Sequence, residues 1–235
     1  MWNDSPFAVK AHFRRSLVLT YSCPPEIAEP MLAPGLVPDT WRGHAFLAIA
    51  MVQTERLRPA VLPSIFGRNF FLAGYRVFVR HGQQRGLQIL RSDTDRLSMV
   101  RLGNLFTHYG YRLCRFEYAD RAGATLWRVS TPRAEADLEV IEHGPDALPS
   151  GSVFLTEREA HRYAGPLPMT FGYEPAPRKL IAVRGVRTHW SPRLVGVDVR
   201  RCTWLPDGAL LASAFAIEDV VYRWERGVRL PLEAA

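Results

Sequence analysis

From Asn69 to Arg80 the chain is a run of aromatic and β-branched residues with Arg76 set inside it. A run of that composition reads as a strand buried along most of its length. A guanidinium cannot shed its proton, and an unpaired buried charge is costly, so a protein carboxylate or an anionic ligand has to meet Arg76. A pocket for a small acid is the first expectation this sequence raises.

Alternation places Arg76 with Phe70, Leu72, Gly74, Phe78 and Arg80 on one face, opposite Phe71, Ala73, Tyr75, Val77 and Val79. The second face is the greasier, so periodicity alone turns Arg76 and Arg80 towards solvent or a covering helix, their stems lying on apolar surface. In a barrel with helices outside, both faces are buried and the lumen is the more polar of the two.

The rest of the chain has a similar character. Strands are expected at Ser16 to Tyr21, Trp41 to Thr54, Leu87 to Leu90, Tyr109 to Tyr118, Thr125 to Ser130, Ala136 to Ile141, Lys179 to Val186, Leu194 to Trp204 and Ala209 to Tyr222. The turn from His81 to Gly86 makes a hairpin of the Asn69 strand and the next one. Pro24 and Pro25 open a short helix through Met31, and the prolines from Pro59 to Pro63 make a loop. Asp93 or Thr94 caps a second helix ended by Gly103, and Thr156 with Glu159 has the capping-box form for a third, stopped at Gly165. About ten strands with two or three short helices describe an α+β, mainly antiparallel β domain, not a parallel nucleotide-binding sheet. One domain over residues 1–235 is expected, since single all-β barrels of this length are ordinary.

The net charge of +7 would ordinarily raise nucleic acid as a partner, but its distribution argues against it. Of 30 basic residues only Lys10 and Lys179 are lysine, and the arginines are scattered singly or in pairs among acids. Cys23, Cys114 and Cys202 lie far apart without metal or redox spacing, which suits a reducing compartment. No basic leader precedes an apolar stretch and no run approaches the roughly 18 apolar residues of a spanning helix, so a cytoplasmic protein without a membrane partner is expected.

Motifs for nucleotides, serine hydrolysis or zinc proteolysis are absent, and the seven histidines never fall at metal-ligand spacing. Neither a metal nor a cofactor is expected. His108, Tyr109, Tyr111 and Arg112 gather at the entry to a strand, where they would bind and polarise an oxygen-bearing ligand. Arg58 and His189 are polar ends of strands beside proline loops, candidates for the same mouth.

Several short pieces, in order along the chain, resemble the bacterial YqjF-like family, domain of unknown function 2071, within the acetoacetate decarboxylase-like superfamily. They are Leu32-Ala-Pro-Gly-Leu36, Asp39-Thr-Trp-Arg-Gly-His-Ala45, Arg58-Pro59, Tyr75-Arg-Val-Phe-Val79, Val153-Phe-Leu-Thr-Glu-Arg158 with Tyr163, His189-Trp-Ser-Pro192 and Val197-Asp-Val199. The resemblance implies a cone-shaped antiparallel β-barrel with a few short helices outside, enclosing a cavity lined by the strands from Trp41 and Phe70. The decarboxylases of that superfamily use a Schiff-base lysine beside a second lysine, and a glutamate from a barrel strand. The lysine pair aligns with Tyr111 and Arg112 and the glutamate with Leu72, so neither part is expected here. Alignment of Leu72 with an inward glutamate carries Arg76 inward too, by period two. Many YqjF-like sequences have Glu and Asn where this one has Leu72 and Gly74, which makes this cavity the more apolar.

The expectation is therefore a barrel that binds an apolar carboxylate or oxo acid, with Arg76 as anchor, Leu72, Gly74, Arg58, Trp41 and His189 around the ligand, and His108, Tyr109 and Tyr111 orienting it. The alternatives are a cofactor-independent lyase, cyclase or hydratase in which His108 or a tyrosine moves a proton while Arg76 or Arg112 stabilises an enolate, and a structural or interaction protein with a filled barrel. A homodimer through the barrel edges is left open.

Overall fold

The computed structural model describes residues 4–121, 123–165, 167–176 and 178–232. Its centre is a ring of seven strands: β1 (Val9–Cys23), β3 (Ala45–Pro59), β4 (Arg68–His81), β5 (Gln84–Thr94), β10 (Met169–Glu174), β11 (Lys179–Thr188) and β13 (Leu210–Trp224). Each pairs with its neighbours in the order β11-β10-β5-β4-β3-β1-β13, and a β11–β13 ladder from Gly185↔Trp224 to Thr188↔Val221 closes the circuit. All these pairings are antiparallel except β5–β10, a parallel contact of Leu87 with Thr170 and Gln88 with Phe171. Two short strands fringe the ring, β2 (Val37–Pro38) on β4 and β14 (Val228–Leu230) on β11.

A second sheet covers the outside. β13 hands on to β12 (Arg193–Cys202), which continues through β9 (Leu138–Pro145) and β8 (Ala124–Ser130) to β7 (Arg115–Arg121). Trp127, Val129, Leu138 and Val140 of this sheet pack on Leu17, Leu19, Leu47, Ile49, Ala73, Tyr75 and Val77 of the ring, forming the main core. The greasy face of β4 is thus the outward one, buried under the second layer.

The inward face divides into two ends. At one end α3 (Glu157–Ala164) plugs the ring, and Phe46, Phe78, Phe154, Tyr163 and Phe215 close around it. Asp39 is buried there, with Arg80 Nε and Arg85 Nε each 2.6 Å from one of its carboxylate oxygens. Arg80 therefore shares the face of Arg76, as alternation requires, but a carboxylate meets its charge. At the other end α2 (Leu97–Phe106) lies across the ring without filling it.

The expected helices and strands hold with instructive shifts. The first helix is α1 (Pro25–Ala28) extended by a 3-10 turn through Met31. Thr156 Oγ1 accepts from Glu159 N at 3.1 Å, as the capping box requires, but Glu159 turns its carboxylate to Leu155 N at 2.9 Å. α2 starts at Leu97, not at Asp93 or Thr94, because both residues still belong to β5, with the Asp93 carboxylate committed to Arg91. Gly103 does not end α2; it sits inside, where a Cβ would fall 2.3 Å from the Tyr111 ring. The single strand expected from Tyr109 to Tyr118 is two, because the chain leaves β5 after β6 (Tyr111–Leu113) to start the second sheet at β7. β10 was not expected at all.

Candidate functional site

Between α2 and the plugged end lies a cavity of about 560 Å³. The inward residues of the ring make its walls, among them Val18 of β1, Val52 of β3, Leu72 of β4 and Ile89 of β5, with Met99, Leu102 and Phe106 of α2 opposite. The amino-terminal segment adds Ser5, Pro6 and Phe7, the last edge-on to Phe106 at 5.0 Å between ring centres.

Arg76 opens onto this cavity. The resemblance placed it correctly and the hydrophobicity of its strand did not. Its Nε has no hydrogen-bond partner, and no carboxylate pairs with it among the described residues. Burial pushes its pKa below the ordinary arginine value, offset only by the nearby phenols of Tyr222, Tyr109 and Tyr111. Gly74 makes room for it: a Cβ on Gly74 would lie 3.1 Å from Arg76 Nη2 and 3.2 Å from Nε. The guanidinium therefore folds back over the glycine.

Tyr109 and Tyr111 both line the cavity, and their chemical states differ. Tyr109 Oη lies 3.0 Å from Thr170 Oγ1, and the Thr170 hydroxyl donates to Val183 O at 3.2 Å, so the Tyr109 hydroxyl donates to Thr170 and keeps its lone pairs for the lumen. The backbone of Tyr111 is held by Asn104 through two hydrogen bonds, 2.7 and 2.9 Å, while no partner takes its hydroxyl among the described residues. Burial pushes Tyr109 up to about 12 and raises Tyr111 further. Both are protonated donors at neutral pH, and neither is a ready base.

The other expected residues divide. Leu72 lines the wall, and Arg58 reaches the rim, where its guanidinium donates to Leu62 O at 3.0 Å and Arg56 O at 2.9 Å. Five residues lie outside the cavity wall, the first of them Gly74, which the Arg76 guanidinium covers. Arg112 is exposed and pairs with Glu135 at 2.7 Å, because β6 turns it outward beside the inward Tyr111. Trp41 packs on Tyr163 beside the plug. His189 is exposed, in a left-handed conformation just past β11, whereas its neighbour Trp190 lines the cavity.

His108 points into an ionic node behind the wall. Its Nε2 is 3.3 Å from Asp4 Oδ1 and 3.9 Å from Glu174 Oε2, a trio near enough to hold a metal ion. The Lys179 ammonium is already there, bonded to Asp4 Oδ1 and 3.2 Å from Glu174 Oε2. Arg229 joins at 2.7 Å. Burial raises the Asp4 pKa, but the hydrogen bonds from Lys179, Arg229 and His108 outweigh it and hold the carboxyl well below the usual range. The node fastens the amino-terminal segment over the cavity; its positive charge comes from the protein.

Residues 10–194 match the family model DUF2071, described as an uncharacterized conserved protein. The chain belongs to the DUF2071 family. Solved structures extend the likeness of this DUF2071 protein over nearly its whole length. Acetoacetate decarboxylase from Legionella pneumophila aligns at a TM-score of 0.67 and 10% identity, covering 98% of this chain and 90% of that one. An acetoacetate decarboxylase-like enzyme from Sphingomonas wittichii RW1 aligns at 0.61 and 14%, covering 98% and 94%. The enduracididine biosynthesis enzyme MppR, complexed with pyruvate, aligns at 0.62 and 11%, covering 97% and 92%. At such identities the likeness shows the fold, which is acetoacetate decarboxylase-like. No match was found among curated proteins.

Sequence reasoning missed Arg187 and Tyr222, which also line the cavity, with the Arg187 guanidinium 4.8 Å from the Trp190 ring and 5.5 Å from that of Tyr222. The alternation of Val183, Gly185 and Arg187 along β11 was the available signal.

Proposed function

We propose that this DUF2071 protein binds an apolar carboxylate or oxo acid in the lumen of its ring, with Arg76 as the anion anchor and the Tyr111 hydroxyl as the free donor beside it. One observation carries the reading: a permanently charged guanidinium faces an apolar cavity with no carboxylate among the described residues to meet it, a costly arrangement that an anionic ligand relieves. The volume is within the roughly 300–1,000 Å³ usual for small-ligand sites, which counts against a barrel filled by its own side chains. MppR, alike in fold, is seen with the oxo acid pyruvate.

Schiff-base chemistry needs an amine in the lumen. Lys10 and Lys179 are the chain's only lysines, neither lines the cavity, and the Lys179 ammonium is engaged by Asp4 and Glu174. Proton transfer without a cofactor needs a base near Arg76, yet His108 sits behind the wall and the two phenols hold their protons. Binding is the function this geometry supports best.

A thermal-shift screen of the purified protein against small carboxylates, oxo acids and their neutral esters tests it. An acid should raise the melting temperature, its ester should not, and Arg76→Gln should abolish the shift. If no acid stabilises the wild type, or the variant responds as well as the wild type does, the reading is overturned.

A further inference from the structure

The hairpin between β3 and β4 ends in a tip that is apolar, exposed and rigid. Val61 is 90% exposed, Ile65 85%, Phe66 64% and Leu62 42%. Large apolar side chains clustered this way mark an interaction site. The tip is not floppy: Leu62 N donates to Pro59 O at 3.0 Å, Phe66 N to Pro63 O at 3.2 Å and Gly67 N to Ser64 O at 2.9 Å. Arg58 braces it from inside through Leu62 O and Arg56 O. Gly67 crosses so close to the opposite arm that a Cβ would fall 2.5 Å from Arg56 Cα.

Charge decides between occupants. Arg56 and Arg68 flank the tip on its two arms, Leu57 pairing with Arg68 across the hairpin, and both arginines are exposed. Neither has a carboxylate partner among the described residues. A second copy docking tip to tip by two-fold symmetry would set these arginines against their own images. A surface that offers negative charge outside and hydrocarbon just beneath meets both features at once.

We infer that the Val61–Phe66 tip docks on the surface of an anionic lipid bilayer, its apolar side chains in the interface and Arg56 and Arg68 at the headgroups. The contact is peripheral, since among the described residues no helix is long and apolar enough to cross a membrane. The expectation of no membrane partner rested on the lack of a spanning segment and does not reach a contact of this kind. Leu57, Phe66 and Arg68 also belong to the cavity rim, so docking turns the mouth to the bilayer. The docking stands whatever the lumen holds.

The test is cosedimentation of the full chain with vesicles of phosphatidylcholine alone or with phosphatidylglycerol. The protein should pellet with the anionic vesicles and not the neutral ones. Val61→Ser with Ile65→Ser should weaken binding by more than about tenfold, and Arg56→Gln by roughly fivefold, the worth of one basic residue near an anionic surface. Both variants change exposed side chains that do not line the cavity and should melt with the wild type. Failure to bind anionic vesicles overturns the proposal, as does undiminished binding by both variants. So does a dimer in analytical ultracentrifugation that the Val61, Ile65 double variant dissociates, which would make the tip a contact between copies.

Discussion

Arg91 and Arg76 sit on one hairpin, almost side by side: Tyr75 pairs with Arg91, and after a bulge Arg76 pairs with Ile89. Their surroundings are opposite. Arg91 points into the outer core and is met at once, its Nε 2.8 and 3.0 Å from the Asp93 carboxylate oxygens and its Nη1 3.0 Å from Glu135. Burial lowers its pKa, but Asp93 and Glu135 outweigh that and raise it above the ordinary value. Arg76 points into the lumen, no carboxylate among the described residues answers, and burial prevails. Arg80 and Arg85, on the same two strands, share Asp39. The guanidinium groups of Arg80, Arg85 and Arg91 each have a carboxylate built beside them, and a bound acid, as proposed above, would supply the one that Arg76 lacks among the described residues.

The largest expected effect breaks the structural half of that contrast. Asp93→Asn leaves buried Arg91 with only Glu135 and should cost about 3 kcal/mol in urea unfolding. A loss too small to measure would mean that Arg91 needs no carboxylate in its pocket, and the contrast with Arg76 would lose its force. The next turns one region into the other. Gly74→Asp sets a carboxylate against the Arg76 guanidinium, and acid binding should fall at least about tenfold by calorimetry, while Gly74→Ala, adding only a methyl group there, should bind far better than the aspartate variant. Equal binding by the two would move the anion away from Arg76. The smallest effect is alkaline. The Tyr109 pKa is raised from 10.0 to about 12, so its contribution to stability is complete below pH 10 and is lost as pH rises towards 12. Tyr109→Phe should flatten the fall in melting temperature over that window.

How much of this was readable in the chain follows from the faces of its strands. The β4 strand, its hairpin with β5 and the α3 cap rest on local signals, periodicity and turn or cap chemistry, and they appear where those signals lie. Which face of β4 looks inward was not local. Both faces are apolar, and the second sheet that buries the greasier one is built from residues far along the chain, so only the aligned Leu72 position gave the answer. Tyr109 and Tyr111 both reach the cavity as expected, although Tyr109 lies in the loop before β6 and not on a strand with Tyr111. Arg112 failed because it alternates with Tyr111 along β6, and His108 because it sits in that loop, turned to the Asp4 node. β10 is short, flanked by prolines and interrupted by Gly172, where a Cβ would come 3.1 Å from His108 and 3.5 Å from the Tyr109 ring. Asp93 reads as a helix cap, and its pairing with Arg91 shows only in the fold, as does that of Asp39 with Arg80 and Arg85.

The ring also sets a timetable for making the protein. β1 lies between β3 and β13, and its ladder with β13 runs from Val9↔Trp224 to Ser22↔Leu210, joining segments far apart in the sequence. During synthesis one edge of β1 must wait for β13, made much later, and the lumen does not exist until it emerges. Such distant pairing predicts slow closure and a long-lived intermediate with an open strand edge. In a cell, that exposed edge would be the point at which chaperones and self-association compete for the unfinished chain.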